Sequence, residues 1–406
     1  MNDLIYLDNA ATSFPKHPDV ARAMTDFLEH SAGNPGRGGH TLSRRAGDLV
    51  EEARHAIARS INAPCAARVV LTHGCTDALN LAIHGVIRAA VRHGAPTPIP
   101  VVTTALEHNA VLRTLHCYAT DNLVALTIVQ PDEHGYTHPE SIASACTEST
   151  RLVCVTHASN AMGTIQPIDE IIRATRRAAP EALVLVDSAQ TLGHIPIDVQ
   201  RSDIDLLSIA GHKGLGGPTG TGALYLSQNA YADHCTQDEA RVFCERRGGT
   251  GSIAPGLEMP TALPDALEAG TANAVGFAGL LAAMKHHDPS AHDHEMALTQ
   301  RLLQGLSDIE HVTIYGPTTT ENRTPVVLFN ISGICARDVA TILDKEHNIA
   351  VRGGVHCAPL THESIGNGSD GGVRASPGRA TTQSDIDTLL SAIERIAMSA
   401  TQSRSA

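Results

Sequence analysis

The sequence predicts a two-domain α/β protein: a large doubly wound domain on a seven-stranded, mostly parallel sheet, and a smaller α+β domain. Three observations carry this expectation. Seven short branched apolar runs, VVLT, PVVTT, LVALTIV, LVCVT, LVLVD, DLLSI and GALYL, are mostly separated by helical patterns, an alternation that calls for crossovers and hence parallel strands. Two of these runs deliver polar residues at their carboxyl ends, Asp187 in one case and His212-Lys213 in the other, which is where open α/β sheets place ligand groups. With 406 residues, 42% of them hydrophobic, the chain can bury a sizeable core, and its length suits two domains. Residues 16–275 are expected to form the large domain, and residues 1–15 with 276–406 the small one.

Taken in order, Tyr6-Leu-Asp-Asn-Ala-Ala is a polar turn after a short strand. Gly33 to His40, GNPGRGGH, is a glycine-rich loop, either a flexible linker or a close approach to a neighbour or ligand. Thr41 to Ile61 is helical, with Leu42, Ala46, Leu49, Val50, Ala53, Ile57 and Ile61 at helix spacing. From Val69 the chain reads as strand, small turn and helix, the helix face being Ala78, Leu79, Ala82, Ile83, Val86 and Ile87. The backbone N–H groups at that helix start, with the Thr76 hydroxyl, make either an ordinary cap or an anion site. His108 follows the next strand, as a structural residue or as a ring in a site. Arg151 to Thr156 is a strand leading into His157-Ala-Ser-Asn160, and Pro167-Ile-Asp-Glu-Ile-Ile opens a helix that Asp169 caps or whose dipole it complements.

Between Met284 and Met296, KHHDPSAHDHE gathers four histidines with acidic residues. The spacing matches no closed metal site and Pro289 breaks the helix, so a solvated inter-domain connection is expected, and no metal. Thr324 to Ile331 supplies a strand of the small domain, and Ser384-Asp-Ile-Asp begins the last helix with a capping box.

Composition narrows the class. A formal charge of −13 argues against nucleic acid or an anionic membrane as partner. The N-terminus lacks a basic start followed by an apolar run, and no stretch is apolar enough to span a bilayer. Nine cysteines without paired short spacings fit a reducing compartment. A cytoplasmic location is expected.

Asp187 and Lys213 taken together suggest a specific chemistry. A carboxylate at a buried strand end needs a cationic partner to stay ionised, and a protonated pyridine nitrogen would serve. A lysine beside small residues and partly desolvated approaches the free amine that condenses with a carbonyl. Either residue alone reads as an ordinary ion pair or a surface lysine; the pair describes a pyridoxal phosphate site.

The segments VDSAQ and SIAGHKGLGGPTGTG resemble the aspartate and lysine segments of the class V aminotransferase group of fold-type I pyridoxal phosphate-dependent transferases, in particular the cysteine desulfurases and selenocysteine lyases. The likeness runs from Tyr6 to about Ile396. It implies that Lys213 carries the cofactor, Asp187 faces the ring nitrogen, His108 stacks on the ring and can move a proton, and Gln190 and Asn160 lie near the phenolic oxygen. Gly74, Cys75, Thr76 and His212 would hold the phosphate, helped across a homodimer seam by Gly270 and Thr271 of the partner subunit. Cys75 stands where relatives often have threonine, and Ala210 where many have serine or threonine, so Thr76 and His212 would do more of the anchoring. Asn9, Ala10, Arg37, Asn160, Arg352 and Arg374 would face the substrate, with Arg374 on its carboxylate.

The segment Arg352-Gly-Gly-Val-His-Cys357-Ala-Pro is similar to the motif in which a desulfurase cysteine takes sulfur from the substrate. The resemblance thus implies conversion of L-cysteine to L-alanine, with sulfur held on Cys357 as a persulfide. The short Gly/Ser-rich stretch between Cys357 and Arg374 implies that an acceptor protein or small thiol collects it. The same pattern leaves open a lyase acting on L-selenocysteine or another C–S substrate, and, in another class, a non-catalytic scaffold of a sulfur-transfer complex.

Overall fold

The computed structural model describes residues 4–36, 39–233, 235–236, 239–251 and 257–405. Strand β1 (Ile5–Tyr6) and helices α1 (Pro18–His30) and α2 (Thr41–Ser60) lead into β2 (Val69–Thr72), α3 (Cys75–Arg92), β3 (Ile99–Thr104), α4 (Asn109–Thr120), β4 (Val124–Val129) and α5 (Pro139–Ala145). There follow β5 (Leu152–Thr156), α6 (Ile168–Ala178), β6 (Leu183–Asp187), β7 (Leu206–Ala210), β8 (Gly222–Leu226) and α7 (Ala274–Lys285). All seven apolar runs are strands of one sheet, in the order β2-β8-β7-β6-β5-β3-β4. β8 is antiparallel to both its neighbours, β2 and β7, and the remaining pairs are parallel. Strands β2, β5, β6, β7 and β8 are buried throughout, as strands covered on both faces must be.

The helices cover the sheet with sequence-encoded faces. α6 buries Ile168, Ile171, Ile172, Ala174 and Thr175 and turns its arginines outward. Asp169 and Glu170 sit in its first turn without capping it, so they complement the dipole. One core joins α2, α6 and α7 to one sheet face, and a second joins α3 and α4 to the other. Alternation ends after β6: β7 returns directly into β8 as an antiparallel hairpin, and its connection, 211–221, contains Lys213.

The rest of the chain comprises α8 (Ala291–Ser307), β9 (Val312–Tyr315), β10 (Val327–Ile331), α9 (Ala336–His347), β11 (Ile349–Ala350), β12 (Arg352–Gly354), α10 (Pro359–Ser364), β13 (Gly372–Ala375) and α11 (Gln383–Ser405). β12-β13-β10-β9 form an antiparallel sheet, and β1 pairs in parallel with β11. A third core links this sheet to α8, α9, α11 and Leu7. α7 buries Phe277, Leu280 and Leu281 in the first core, so we propose drawing the domain boundary after Lys285, at the turn holding Pro289, instead of at 275. The cap of the last helix lies two residues earlier than its sequence suggests: Thr382 and Asp385 form the reciprocal capping bonds, while Asp387 pairs with Arg301 of α8. Among the described residues no helix is long and apolar enough to cross a membrane.

Candidate active site

The carboxyl ends of β5, β6 and β7 and the start of α3 surround a cavity of about 650 Å³ whose outer wall is supplied by the small domain. Ala10, Gly74, Cys75, Thr76, His108, Asn160, Asp187, Gln190, His212, Lys213, Arg352 and Arg374 all line it. Residues separated by hundreds of positions therefore meet at one cavity.

Asp187 ends β6 and is 5% exposed. Its Oδ1 accepts from the Ala189 N–H at 2.9 Å, the Cys75 thiol at 3.2 Å and the Ser208 hydroxyl at 3.3 Å. Three donors to one oxygen fix the direction of the carboxylate. Burial lowers the Lys213 amine below the ordinary lysine value; Asp187 opposes this, while Arg374 and Arg352 add to it. The result is an amine closer to its nucleophilic, proton-free form than a surface lysine. His108 caps α4 by accepting the Ala110 N–H on Nδ1 at 3.0 Å, so the neutral ring carries its proton on Nε2. Desolvation keeps it neutral, with Asp187 pulling the other way.

The small domain contributes cations and sulfur. Arg374, 1% exposed, donates to Asp8 at 2.6 Å and to the Asn160 carbonyl at 2.9 Å, and its Nε is buried without a partner. Arg352 Nη2 lies 3.6 Å from Cys357 Sγ. Cys357 itself is not in the cavity wall, to which Arg352 and His356 belong. Both His356 and Cys357 have left-handed backbone, φ +53° and +57°, which costs a residue with a Cβ on the order of 1 kcal/mol or more. Asn109 N–H donates to the Cys357 carbonyl at 2.7 Å and holds this turn against α4 beside His108.

The cavity complements pyridoxal phosphate at four points. The first turn of α3 has no side-chain cap, so its N–H groups are available to an anion at the positive end of the helix. His212 Nδ1 and Asn160 Oδ1 are buried without partners. A Cβ on Gly222 would fall 2.6 Å from the Gly74 backbone, so the α3 turn presses on β8 as only glycine permits. The fourth point is the Lys213 amine facing the Asp187 carboxylate.

Some expected contacts are organised differently. The Cys75 thiol binds Asp187 and Ser208, so its side chain serves the carboxylate and not the helix N-terminus. Asn160 gives its Nδ2 to the His356 carbonyl at 2.7 Å, which leaves an acceptor facing the cavity, suited to an amine more than to a phenolic oxygen. Asn9 spends its amide on Tyr6, Ser376 and Phe14 backbone and lines a neighbouring cavity instead. Gly270 and Thr271 are exposed and away from this chain's cavity, on a segment that Gly270 N–H ties to the Gly249 carbonyl at 2.8 Å. Arg37 lies outside the described residues. Residues the sequence did not announce are Asp8, which holds Arg374; Ser208, which holds Asp187; and Glu107. The Glu107 carboxyl, fully buried between Thr104 and the Thr156 N–H, is pushed up by burial to about 8.

This desolvated site has a consequence for pH. Burial holds His157, His212 and His362 down to about 4 and His356 to about 2. A base whose folded value is depressed binds its proton first in the unfolded chain, so its contribution to stability is present above about pH 6.5 and is lost as pH falls below it. At about pH 5.5 each of these histidines takes up close to one proton on unfolding and Glu107 releases one, a net uptake of roughly three from these five groups, to which the other depressed histidines, His84, His108, His287 and His292, add. Calorimetric unfolding in buffers of different ionisation enthalpy measures this number; zero uptake contradicts the neutral, buried histidines.

Known proteins place the geometry in context. The profile of the family "Aminotransferase class-V" matches residues 5–389. A protein of Methanothermobacter thermautotrophicus named "Probable cysteine desulfurase" is 34% identical over 402 residues, 98% of this chain and 96% of that protein. A cysteine desulfurase of Pectobacterium atrosepticum is 32% identical, covering 97% of this chain and 93% of its own. Among solved structures, an apo cysteine desulfurase from Thermococcus onnurineus superposes with a TM-score of 0.87 at 31% identity, over 98% of this chain and 96% of that one.

Proposed function

The chain belongs to the aminotransferase class-V family, and from that premise we propose that it is a pyridoxal phosphate-dependent cysteine desulfurase, converting L-cysteine to L-alanine with sulfur transferred to Cys357. The observation that carries this reading is the meeting of Lys213, Asp187 and Arg352 at one cavity, with the Cys357 sulfur 3.6 Å from the Arg352 guanidinium.

When bound at Lys213, pyridoxal phosphate supplies an electron sink conjugated to the substrate's Cα. Asp187 would hold the ring nitrogen protonated, Gln190, whose Nε2 already gives one hydrogen to the Ala10 carbonyl at 3.1 Å, would offer its second toward the phenolic side, and Thr76, Gly74 and the α3 N-terminus would receive the phosphate. Arg374, aimed by Asp8 and the Asn160 carbonyl, binds the substrate carboxylate, and Asn160 Oδ1 accepts from its amine. The Lys213 amine takes the Cα proton, and His108 Nε2–H is placed to assist proton movement at Cβ. The Cys357 sulfur attacks the substrate sulfur: an S–S bond forms, the Cβ–S bond breaks, and the electron pair left on Cβ is protonated to the methyl group of alanine. The chain keeps one sulfane sulfur per alanine released.

We further propose a homodimer in which the exposed Gly270 and Thr271 reach the partner's phosphate, a cytoplasmic location, and an acceptor protein or thiol that removes the sulfur. The test is incubation with L-cysteine alone. One persulfide sulfur per chain, and equimolar alanine and sulfide once a reducing thiol is present, support the reading. Pyruvate and ammonia in place of alanine would show β-elimination and sink it.

A further inference from the structure

The histidine-rich stretch before α8 reads in the sequence as a solvated connection without metal. The fold uses part of it differently. Helix α8 begins inside it and sets His292 and Glu295 one turn apart, where they meet His194 from the segment joining β6 to β7. One ligand atom from each of the three residues lies within 4.8 Å of the other two. Glu295 is 3% exposed and its Oε2 is 2.8 Å from His194 Nδ1, while His292 Nδ1 is buried with no hydrogen-bond partner. His287 and Arg379 flank the group, and Arg379 Nη2 is turned to His287 Nδ1 at 2.6 Å and the Gly214 carbonyl at 2.8 Å. A buried, unpartnered ring nitrogen is costly, and a cation joining it to the neighbouring carboxylate would satisfy it.

We propose that His194, His292 and Glu295 bind a divalent transition-metal ion of the zinc class. Two imidazole nitrogens and one carboxylate oxygen are the donor set that borderline cations of this size prefer, with a water completing a tetrahedron. Zinc at its usual bond lengths holds such donors roughly 3.3 Å apart. The His194–Glu295 pair stands at 2.8 Å and no pair of ligand atoms exceeds 4.8 Å, so closing the site needs a change of about 1.5 Å at most in any separation. Insertion replaces the His194–Glu295 hydrogen bond with two metal bonds and releases any proton the pair shares. A neighbouring cavity of about 300 Å³, with His194 and Glu295 in its wall, supplies the route in.

The position gives the ion its role. None of the three ligands lines the catalytic cavity. The His194 ring packs on the residue after Lys213: a Cβ on Gly214 would lie 3.1 Å from its Cδ2. α8, in contrast, belongs to the small-domain core through Leu298, Leu302, Leu303 and Leu306. A metal here staples the back of the lysine loop to the small domain, whose other segments carry Arg374 and Cys357.

The test uses the pyridoxal phosphate-loaded enzyme, stripped with a chelator, dialysed and titrated with zinc chloride, with bound metal counted by mass spectrometry. The expected result is one saturable zinc per chain, a melting temperature that rises with zinc, and a tetrahedral visible spectrum when cobalt(II) replaces it. His292→Ala and Glu295→Gln are each expected to weaken zinc at least tenfold, while Cys357→Ser leaves it unchanged. No saturable zinc, or a melting temperature indifferent to it, overturns the proposal without reference to any variant. Zinc that survives His292→Ala and Glu295→Gln but is lost in Cys357→Ser, or in His17→Ala of the more exposed His17, Asp19 and His286 group, overturns it as well. These counts stand whether or not the enzyme releases alanine from cysteine.

Discussion

Cys357→Ser is expected to load pyridoxal phosphate and bind L-cysteine as the parent does, while alanine formation falls by on the order of 10³-fold or more. Serine fits the same volume but cannot form the S–S bond that carries sulfur away, so the Cβ–S bond has no acceptor. The sulfur sits 3.6 Å from Arg352 Nη2, on a turn with two successive left-handed residues. That turn separates function from stability. Cys357→Gly should be equally inactive, yet relief of strain of about 1 kcal/mol against the extra freedom of glycine in the unfolded chain, roughly 0.5–1 kcal/mol, should leave it as stable as the parent. Cofactor absorbance, alanine yield and a denaturation curve read the three quantities separately. Full turnover by Cys357→Ser would contradict the sulfur-transfer step.

Lys213→Ala is expected to lose both the covalent hold on the cofactor and the base at Cα, a drop in kcat of about 10²- to 10⁴-fold from proton transfer alone. Its counterpart is Lys16, the other desolvated lysine nearby, which burial lowers to about 8. Lys16 spends its amine on the Ser13 hydroxyl and the His212 carbonyl, each at 2.8 Å, and lines the neighbouring cavity instead of the catalytic one. Lys16→Ala should therefore keep the cofactor-bound spectrum that Lys213→Ala loses. Spectra of the two purified variants decide between the amines; the opposite pattern would mean that Lys16 is the attachment point.

Much of this was legible in the sequence because strands buried on both faces must be short, branched and apolar, and because a strand end is where a polar residue in such a run has somewhere to point. Hence Asp187 and Lys213 could be read as strand-end groups from their runs, whereas Asn160 was named by resemblance. Contacts that depend on the meeting of distant elements were not legible. Asp8 aims Arg374 from 366 positions away, through a small-domain sheet that no local pattern announces. Cys75 reads as a phosphate contact by position, yet its thiol turns to Asp187 because Ser208 and the carboxylate lie beneath the first turn of α3. The register of α11 slipped because Ser384 and Thr382 offer equivalent caps, and Asp387 is claimed by Arg301. His194 meets Glu295 across 101 positions, so no spacing motif could have revealed the group.

The whole account rests on which amine carries the cofactor. Borohydride reduction of the loaded protein, followed by digestion and tandem mass spectrometry, reads this directly. The pyridoxyl mass on the peptide containing Lys213, and on no other lysine, is the result expected; a label on Lys16, or no label at all, would contradict it.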